Sequence, residues 1–213
     1  MDKFLDKIFF RSRNLDYISQ KIKKITQETS AHKVFEAINN FNETSEVRYV
    51  GGCIRKIIKK EEVDDIDLAT NLIPTEVCNA LKKNNINFYE TGIDHGTITA
   101  IIGDQKYEIT TLRKDVSTDG RHAKVEFSLD WKDDSNRRDF SINAIYSDKD
   151  GNLFDPHNGK KDLESGIVKF IGNPEERIQE DYLRILRYLR LSLIHISEPT
   201  RRRGISYAVF CLK

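Results

Sequence analysis

Gly51-Gly52-Cys53-Ile54-Arg55, followed ten residues after the arginine by Asp65-Ile66-Asp67, is the stretch whose reading decides the fold. Arg48-Tyr49-Val50 before it is β-prone, and Cys53 to Lys60 reads as a helix, so the glycine pair joins a strand to a helix. Two glycines at such a junction let backbone N–H groups approach a phosphate, and the helix N-terminus adds a favourable dipole. Arg55 lies one turn in and can reach the same anion. Asp65 and Asp67 are two apart, so on a strand both carboxylates point to one side. Two hard oxygen anions on one face, beside a triphosphate site, suit Mg²⁺. The combination implies nucleotidyl transfer, with two metals, a nucleoside triphosphate and an attacking hydroxyl. Taken singly, Gly-Gly is an ordinary turn and an Asp-x-Asp beside Glu61, Glu62 and Asp64 is an ordinary solvated loop. The specificity lies in the ordered set Gly-Gly-x-Ile-Arg followed by Asp-x-Asp-Leu-Ala-Thr.

Three further segments carry chemistry. Glu108 interrupts an apolar strand, Tyr107 to Leu112, where a carboxylate is costly to bury unless it is paired or metal-linked. Its plain alternative is a strand-edge glutamate facing solvent. Beside the aspartate pair, it becomes a third acid able to position or deprotonate the attacking hydroxyl. Arg137-Arg138-Asp139 runs straight into Phe140-Ser141-Ile142-Asn143-Ala144, which marks a buried edge rather than surface charge. Arg138 can hold phosphates, and Asp139 can accept from a ribose hydroxyl. Last comes Glu-Asp-Tyr-Leu-Arg-Ile-Leu-Arg-Tyr-Leu-Arg, residues 180–190. Asp181, Arg184, Arg187 and Arg190 recur at every third residue, with Leu183, Leu186 and Leu189 as a parallel apolar stripe. One reading is a solvated helix with Asp181 paired to Arg184. Because Tyr, Leu and Ile fill the other positions, the helix is expected to be mostly buried and to need a charged ligand or partner. Asp and Arg together offer acceptor and donor edges suited to reading a base.

Residues 191–213, LSLIHISEPTRRRGISYAVFCLK, resemble a conceptual translation of a transposon-type sequencing adapter, with both constant arms in one frame; the alternative is an unusual natural C-terminus. The native reading frame is therefore expected to end near Arg190. That stretch carries four of the 35 basic and one of the 34 acidic residues, so the net charge of the remainder is −2 rather than +1. Overall charge gives no argument for nucleic acid, and any RNA-binding surface must be local. Cys53 and Cys78 then remain as the cysteines, which fits a reducing compartment and neither a disulfide framework nor a zinc pattern. No apolar run approaches transmembrane length, so no membrane partner is expected. Asp2 and Asp6 among the first residues do not fit a secretory or transit signal, and cytoplasm is the expected location.

Along the chain, residues 1–30 read as an N-terminal helical extension. Residues 31–173 read as the main domain. Residues 174–190 form a first helix of a further unit, ahead of the adapter-like 191–213. Within the main domain Ser30 is placed to cap a helix over 31–41, and Pro74 to open one over 75–83. Residues 98–102 and 106–112 form a hairpin about Gly103-Asp104, and residues 167–171 read as a strand. Residues 140–146 are open between strand and helix.

These segments, in this order, resemble class II tRNA nucleotidyltransferases, the CCA-adding enzymes of the polymerase-β superfamily. The matching runs are YVGGCIRKIIKKEEVDDIDLATNLIPTEV, then HGTITAIIGDQKYEITTLRKDVSTDGRHAKVEF, then residues 130–190. The resemblance implies an α+β fold: a polymerase-β-type nucleotidyltransferase head with a mixed sheet flanked by helices, followed by the start of an α-helical neck. It implies Mg²⁺ on Asp65 and Asp67, with Glu108 completing the acidic cluster. Triphosphate contacts fall on Gly52 and Arg55, and nucleotide and ribose contacts on Arg138 and Asp139. Asp181 and Arg184 serve as a protein template reading CTP and ATP, with further nucleotide contacts from Arg187 and Arg190. The partner it implies is the tRNA 3′ end. Lys56 stands where the family usually has Asp, which puts a supporting ion pair in question.

The leading expectation is CCA addition to tRNA. Sibling readings are a poly(A) polymerase or an enzyme adding only CC or only A; the segment Asp119-Gly120-Arg121-His122-Ala123 looks more like the CCA-adding loop. A reading from another class is a non-catalytic nucleotide- or RNA-binding module, against which the three acids argue. The chain as written is expected to be inactive on tRNA, because the remaining neck, body and tail of such enzymes are absent from it.

Overall fold

The computed structural model of the protein describes residues 17–119 and 122–195. The acids at the extreme N-terminus, Gly120 and Arg121 of the loop, and residues 196–213 lie outside the described residues. The chain starts with helix α1 (residues 17–28) and α2 (Ala31–Asn39), then β1 (Val47–Val50), α3 (Gly52–Ile58), β2 (Ile66–Thr70) and α4 (Pro74–Lys83). Strands β3 (Asn87–Gly92), β4 (Thr97–Ile102) and β5 (Gln105–Thr111) follow, then the separate hairpin β6 (Arg113–Asp119) and β7 (His122–Phe127). Helix α5 (Trp131–Arg137), a 3₁₀ turn at Ser141–Asn143, β8 (Tyr146–Ser147), β9 (Leu153–Phe154) and α6 (Gly159–Glu164) complete the main unit. Helices α7 (Pro174–Glu180) and α8 (Leu183–His195) close the described chain.

The sheet is mixed, in the order β3-β4-β5-β2-β1-β8-β9, as the α+β expectation requires. Among the described strands one pairing is parallel, β2 with β5, and it aligns Asp67 with Glu108. Period-2 alternation divides the sheet into two faces. Tyr49, Leu68, Tyr107 and Ile109 point into the main core with Ile22, Phe35, Ile54 and Leu81 from α1, α2, α3 and α4. Val50, Ala69, Leu112 and Tyr146 point the other way, into a smaller cluster covered by Trp131 and Phe154. Asp67 and Glu108 alternate with the main-core residues and so face the side of this smaller cluster.

Several expectations change in detail. The first helix is more than an extension: Ile18 and Ile22 are fully buried, and Thr26 hydrogen-bonds the Tyr49 hydroxyl at 2.7 Å inside the core. Ser30 makes no side-chain cap; the Thr29 hydroxyl accepts the Ala31 N–H instead, at 3.3 Å. The β4–β5 hairpin forms as expected, and α4 begins at Pro74 with Glu76 reaching back to the Ile73 N–H at 3.2 Å. Residues 167–171 are not a strand. They make one isolated bridge, Phe140 to Phe170, because the aromatic contact and the Ile171 N–H to Asp139 carbonyl bond satisfy them without a ladder.

The helix expected over 174–190 is two helices. Asp181 leaves helical geometry, at φ −155° and ψ 104°, between α7 and α8. The expected buried leucine stripe is turned outward, with Leu186 62% exposed and Leu183 and Leu189 partly so, while Arg184, Tyr188 and Leu191 face inward. Helix α8 crosses Arg190 without interruption, since no residue up to His195 breaks a helix, and Leu191 from the adapter-like stretch packs into the main core. Among the described residues no helix is long and apolar enough to cross a membrane.

Gly159 locks α6 against the 3₁₀ turn: a Cβ there would lie 2.0 Å from the Ser141 carbonyl oxygen. The Asp155 carboxylate accepts the Gly159 and Lys160 N–H groups at 2.7 and 2.9 Å, and Ser141 bonds Asp162 at 2.7 Å. Neither backbone can move away without breaking these bonds. Gly159→Ala is therefore expected to cost ~1–3 kcal/mol or more of stability, the penalty of overpacking. Urea unfolding measures it, and a midpoint equal to wild type contradicts the packing described.

Candidate active site

Gly51 makes the turn between β1 and α3 with φ 72° and ψ −124°, a conformation that only glycine adopts without strain. Its surroundings define the site. A Cβ at Gly51 would lie 3.9 Å from each of three atoms: Arg138 Nη1, an Asp67 carboxylate oxygen and the Asn143 carbonyl. The glycine turn, the metal-type acid and the second-motif arginine therefore meet at one point. Arg55 folds back over the turn, its Nη2 3.9 Å from where a Gly52 Cβ would stand. Its Nη1 donates to the Asn143 side-chain oxygen, and its Nε is buried without a hydrogen-bond partner. Burial, and next the nearby Arg190 cation, pull the Arg55 guanidinium below its ordinary pKa. Such a pair of cations favours an anion between them.

Asp65 lies just ahead of β2 and is exposed, while Asp67 is half-buried within it. Glu108 is the register partner of Asp67 on the parallel strand β5 and is also open to solvent. Burial, then the charge of Glu108, push the Asp67 carboxyl above its usual range; Arg138 opposes this and Asp65 adds to it. Among the described residues no three ligand-type side chains close on a single point, so the trio is an open acidic patch rather than a finished cage. An open patch suits a cation that shares its ligands with a substrate phosphate. Cys53, in the same turn, is fully buried, and burial followed by the neighbouring Asp67 pushes its thiol up to about 12, so it acts as a small core residue. Lys56 pairs with Asp64 at 2.6 Å, so an ion pair of the opposite sense ties α3 to the lead-in of β2.

Arg138 is held from behind by groups the sequence reading left out. Asp134, 1% exposed, accepts from Arg138 Nε and Nη2 at 3.1 and 3.0 Å through one oxygen. The same oxygen takes the Tyr146 hydroxyl at 2.7 Å, and the other takes Arg137 at 2.8 Å. This leaves Arg138 Nη1 aimed at the glycine turn. Asp139 accepts from Asn143 Nδ2 at 3.2 Å and the Phe140 N–H at 2.8 Å on one oxygen, and from Arg187 Nε at 2.8 Å on the other.

The last helix pair arranges its charges differently from the expected stripe. Asp181 accepts the Leu183 N–H at 2.9 Å and Arg187 Nη2 at 2.9 Å. Burial works to raise its carboxyl, but these bonds outweigh it and hold the group below its usual value. Arg184 is buried and donates instead to Glu180 at 2.5 Å and to the Arg177 carbonyl at 2.7 Å. The alternative reading's pairing of Asp181 with Arg184 does not form; two pairs, Asp181–Arg187 and Arg184–Glu180, take its place, because the chain leaves the helix at Asp181. Arg190 is exposed and close enough to Arg55 to act on it electrostatically. Asp134, Asn143, Tyr146 and Glu180 are the site residues that sequence reasoning passed over. The available signal was an acid four residues before Arg138, the i, i+4 spacing of a helical ion pair.

Asp134 is predicted to make stability depend on acid pH. Burial alone would raise its carboxyl; Arg138, Arg137 and the Tyr146 hydroxyl outweigh that and lower it to about 2. With the folded value below the unfolded one of ~3.9, its contribution is complete above the unfolded value and is lost as pH falls through the folded one. Asp134→Asn should flatten that acid limb in unfolding curves, and Asp134→Ala at neutral pH should cost ~3–5 kcal/mol by leaving a buried arginine unpaired. An acid limb identical in wild type and Asp134→Asn contradicts the assignment.

Comparison with known proteins agrees with this geometry. A family model described as the poly A polymerase head domain matches residues 47–169. The human mitochondrial CCA tRNA nucleotidyltransferase 1 is 48% identical over 149 residues, covering 70% of this chain and 34% of the relative. The Bacillus stearothermophilus CCA-adding enzyme, solved in complex with CTP, superposes with a TM-score of 0.66 at 28% identity, covering 76% of this chain and 37% of that one. A tRNA nucleotidyltransferase solved with a primer tRNA and an incoming ATP analog superposes at 0.60 with 25% identity, covering 88% and 49%. The chain spans about a third of the length of the curated relatives it matches. With the family model covering more than half of its residues, the chain belongs to the poly A polymerase head domain family.

Proposed function

We propose that this chain is the head of a template-independent nucleotidyltransferase that adds CMP, CMP and AMP, from CTP and ATP, to the 3′ end of tRNA. The observation that carries the reading is the meeting of Asp67, Arg138 and the Gly51 turn within contact of one point, with Glu108 alongside. The names of the similar enzymes support the substrate assignment. The family points to divalent-metal chemistry, and the hard, mutually repelling carboxylates fit Mg²⁺. Asp65 and Asp67 would hold it. When bound, it would offset charge on the phosphates and favour ionisation of the attacking hydroxyl.

The chain's own residues do the rest. The N–H groups of the glycine turn, Gly52 above all, and the guanidiniums of Arg55 and Arg138 bind the triphosphate and hold the α-phosphorus in line with the RNA 3′-oxygen. Glu108 accepts or orients the 3′-hydroxyl proton. The 3′-oxygen forms a bond to the α-phosphorus, the bond from that phosphorus to the bridging oxygen breaks, and pyrophosphate leaves with the electron pair. Asp139 keeps acceptor capacity for a ribose hydroxyl, because a carboxylate offers about four lone-pair sites. Asp181 and Arg184 read the base, with Arg187 and Arg190 as supporting cations; the acceptor and donor edges that Asp and Arg offer support this reading. A cytoplasmic location belongs to this reading, and the mitochondrial relative supplies the alternative that fractionation distinguishes.

In a form extended by the C-terminal part that the relatives possess, Asp65→Asn and Asp67→Asn should each lower incorporation by ~10²–10³-fold or more while leaving unfolding curves unchanged. Turnover at the wild-type rate by either variant sinks the assignment. Sequencing the product separates the sibling readings: C, C, A in order supports this one, an adenosine run points to a poly(A) polymerase, and binding without incorporation points to a non-catalytic module. In the same extended form, Arg184→Ala should relax the preference for CTP and ATP over UTP and GTP. Unchanged discrimination removes Arg184 from base reading.

A further inference from the structure

We propose that Asn143 is a positioning residue, which aims Arg55 at the triphosphate and ties that arginine to helix α8. The proposal rests on the reading of Arg55 as a triphosphate contact. Asn143 ends the 3₁₀ turn that α6 locks in place, and its carbonyl lies 3.9 Å from the Gly51 Cβ position, so its backbone is fixed against the glycine turn. Its side chain is used in opposite senses at its two ends. The oxygen accepts from Arg55 Nη1, and the nitrogen donates to Asp139 at 3.2 Å.

A short primary amide can satisfy a cation and an anion at once from one position. A carboxylate of the same shape would keep Arg55 but face Asp139 with like charge. An aliphatic side chain would release both. With Nη1 engaged by Asn143, the Nη2 N–H groups remain beside Gly52 to donate to an anion. Asp139 continues the line through Arg187 at 2.8 Å to Asp181 at 2.9 Å, so the grip on the phosphates and the start of α8 share one chain of hydrogen bonds. Arg55 and Asn143 are 88 residues apart, and the contact forms once the sheet and α6 are assembled.

The test compares binding of CTP and of CMP, each with Mg²⁺, to the 213-residue chain by calorimetric titration, for wild type, Asn143→Ala and Asn143→Leu. CMP lacks the β- and γ-phosphates but keeps the base and ribose, so a purely structural defect weakens both ligands alike. The expected result is a loss of about tenfold or more in CTP affinity for both variants, ~1.4 kcal/mol, with CMP affinity unchanged. Asn143→Leu is close in size to the native residue, adds no charge and removes both hydrogen bonds, and it supplies the answer if Asn143→Ala does not fold. Wild-type preference for CTP over CMP that persists in the folded variants overturns the role of Asn143 alone, as does an equal loss for both ligands. A wild-type chain that binds CTP no better than CMP overturns the triphosphate reading and this proposal with it.

Discussion

The parallel pairing of β2 with β5 is the constraint on which the rest of the site depends. It sets Asp67 beside Glu108, with Asp65 just ahead of the strand and near enough to act on the Asp67 carboxyl. Neighbouring strands in a sheet are under 5 Å apart, so two carboxylates in register on one face repel. Burial, and next that repulsion, raise the Asp67 carboxyl above its usual range. A stable sheet has no use for the arrangement, since the same positions would accept threonine or valine with less strain. The cost has a physical reason if a divalent cation is to sit there. The glycine turn, Arg55 and Arg138 then supply the cationic half of a site whose ligand must itself be strongly anionic.

A second buried assembly keeps the first in shape. Asp134, Arg138 and Tyr146 form a closed hydrogen-bonded unit under the small apolar cluster, with the Trp131 ring against Tyr146 edge-on at 5.5 Å. A buried ion pair of this kind is weak evidence for stability in itself. Its value here is directional, because it uses one side of the Arg138 fork and leaves Nη1 facing the turn. The Arg55–Asn143–Asp139–Arg187 line does the equivalent for the other arginine. One phosphate-type cation is thus held by a partner 88 residues away, and the other by an acid four residues before it that the folded core buries.

That dependence on the folded chain explains what could and could not be read beforehand. The glycine pair, Arg55, the two aspartates, Glu108 and the hairpin about Gly103-Asp104 were legible because each depends on local periodicity or turn chemistry. Asp134 looked like one more charge in an acidic and basic run, and nothing local marks it as buried. Asn143 lies in an apolar segment, but its partner is 88 residues away. The strand expected at 167–171 failed because β-branched composition does not supply a neighbouring strand. The single helix expected at 174–190 failed at Asp181, whose side chain caps the following turn through the Leu183 N–H and so competes with helix continuation. With the break in place, the leucines at 183, 186 and 189 fall on the outward side.

The central claim is that Asp65 and Asp67 hold a cation beside the triphosphate grip, with Glu108 alongside. Its most direct test is Mn²⁺ binding followed by electron paramagnetic resonance on the 213-residue chain in the presence of CTP. Wild type, Asp65→Asn and Asp67→Asn would be compared. The account predicts that wild type binds the ion and that each variant weakens it by at least about tenfold, the lower end of what losing even a supporting group costs a metal site. Equal Mn²⁺ affinity in all three chains would contradict it.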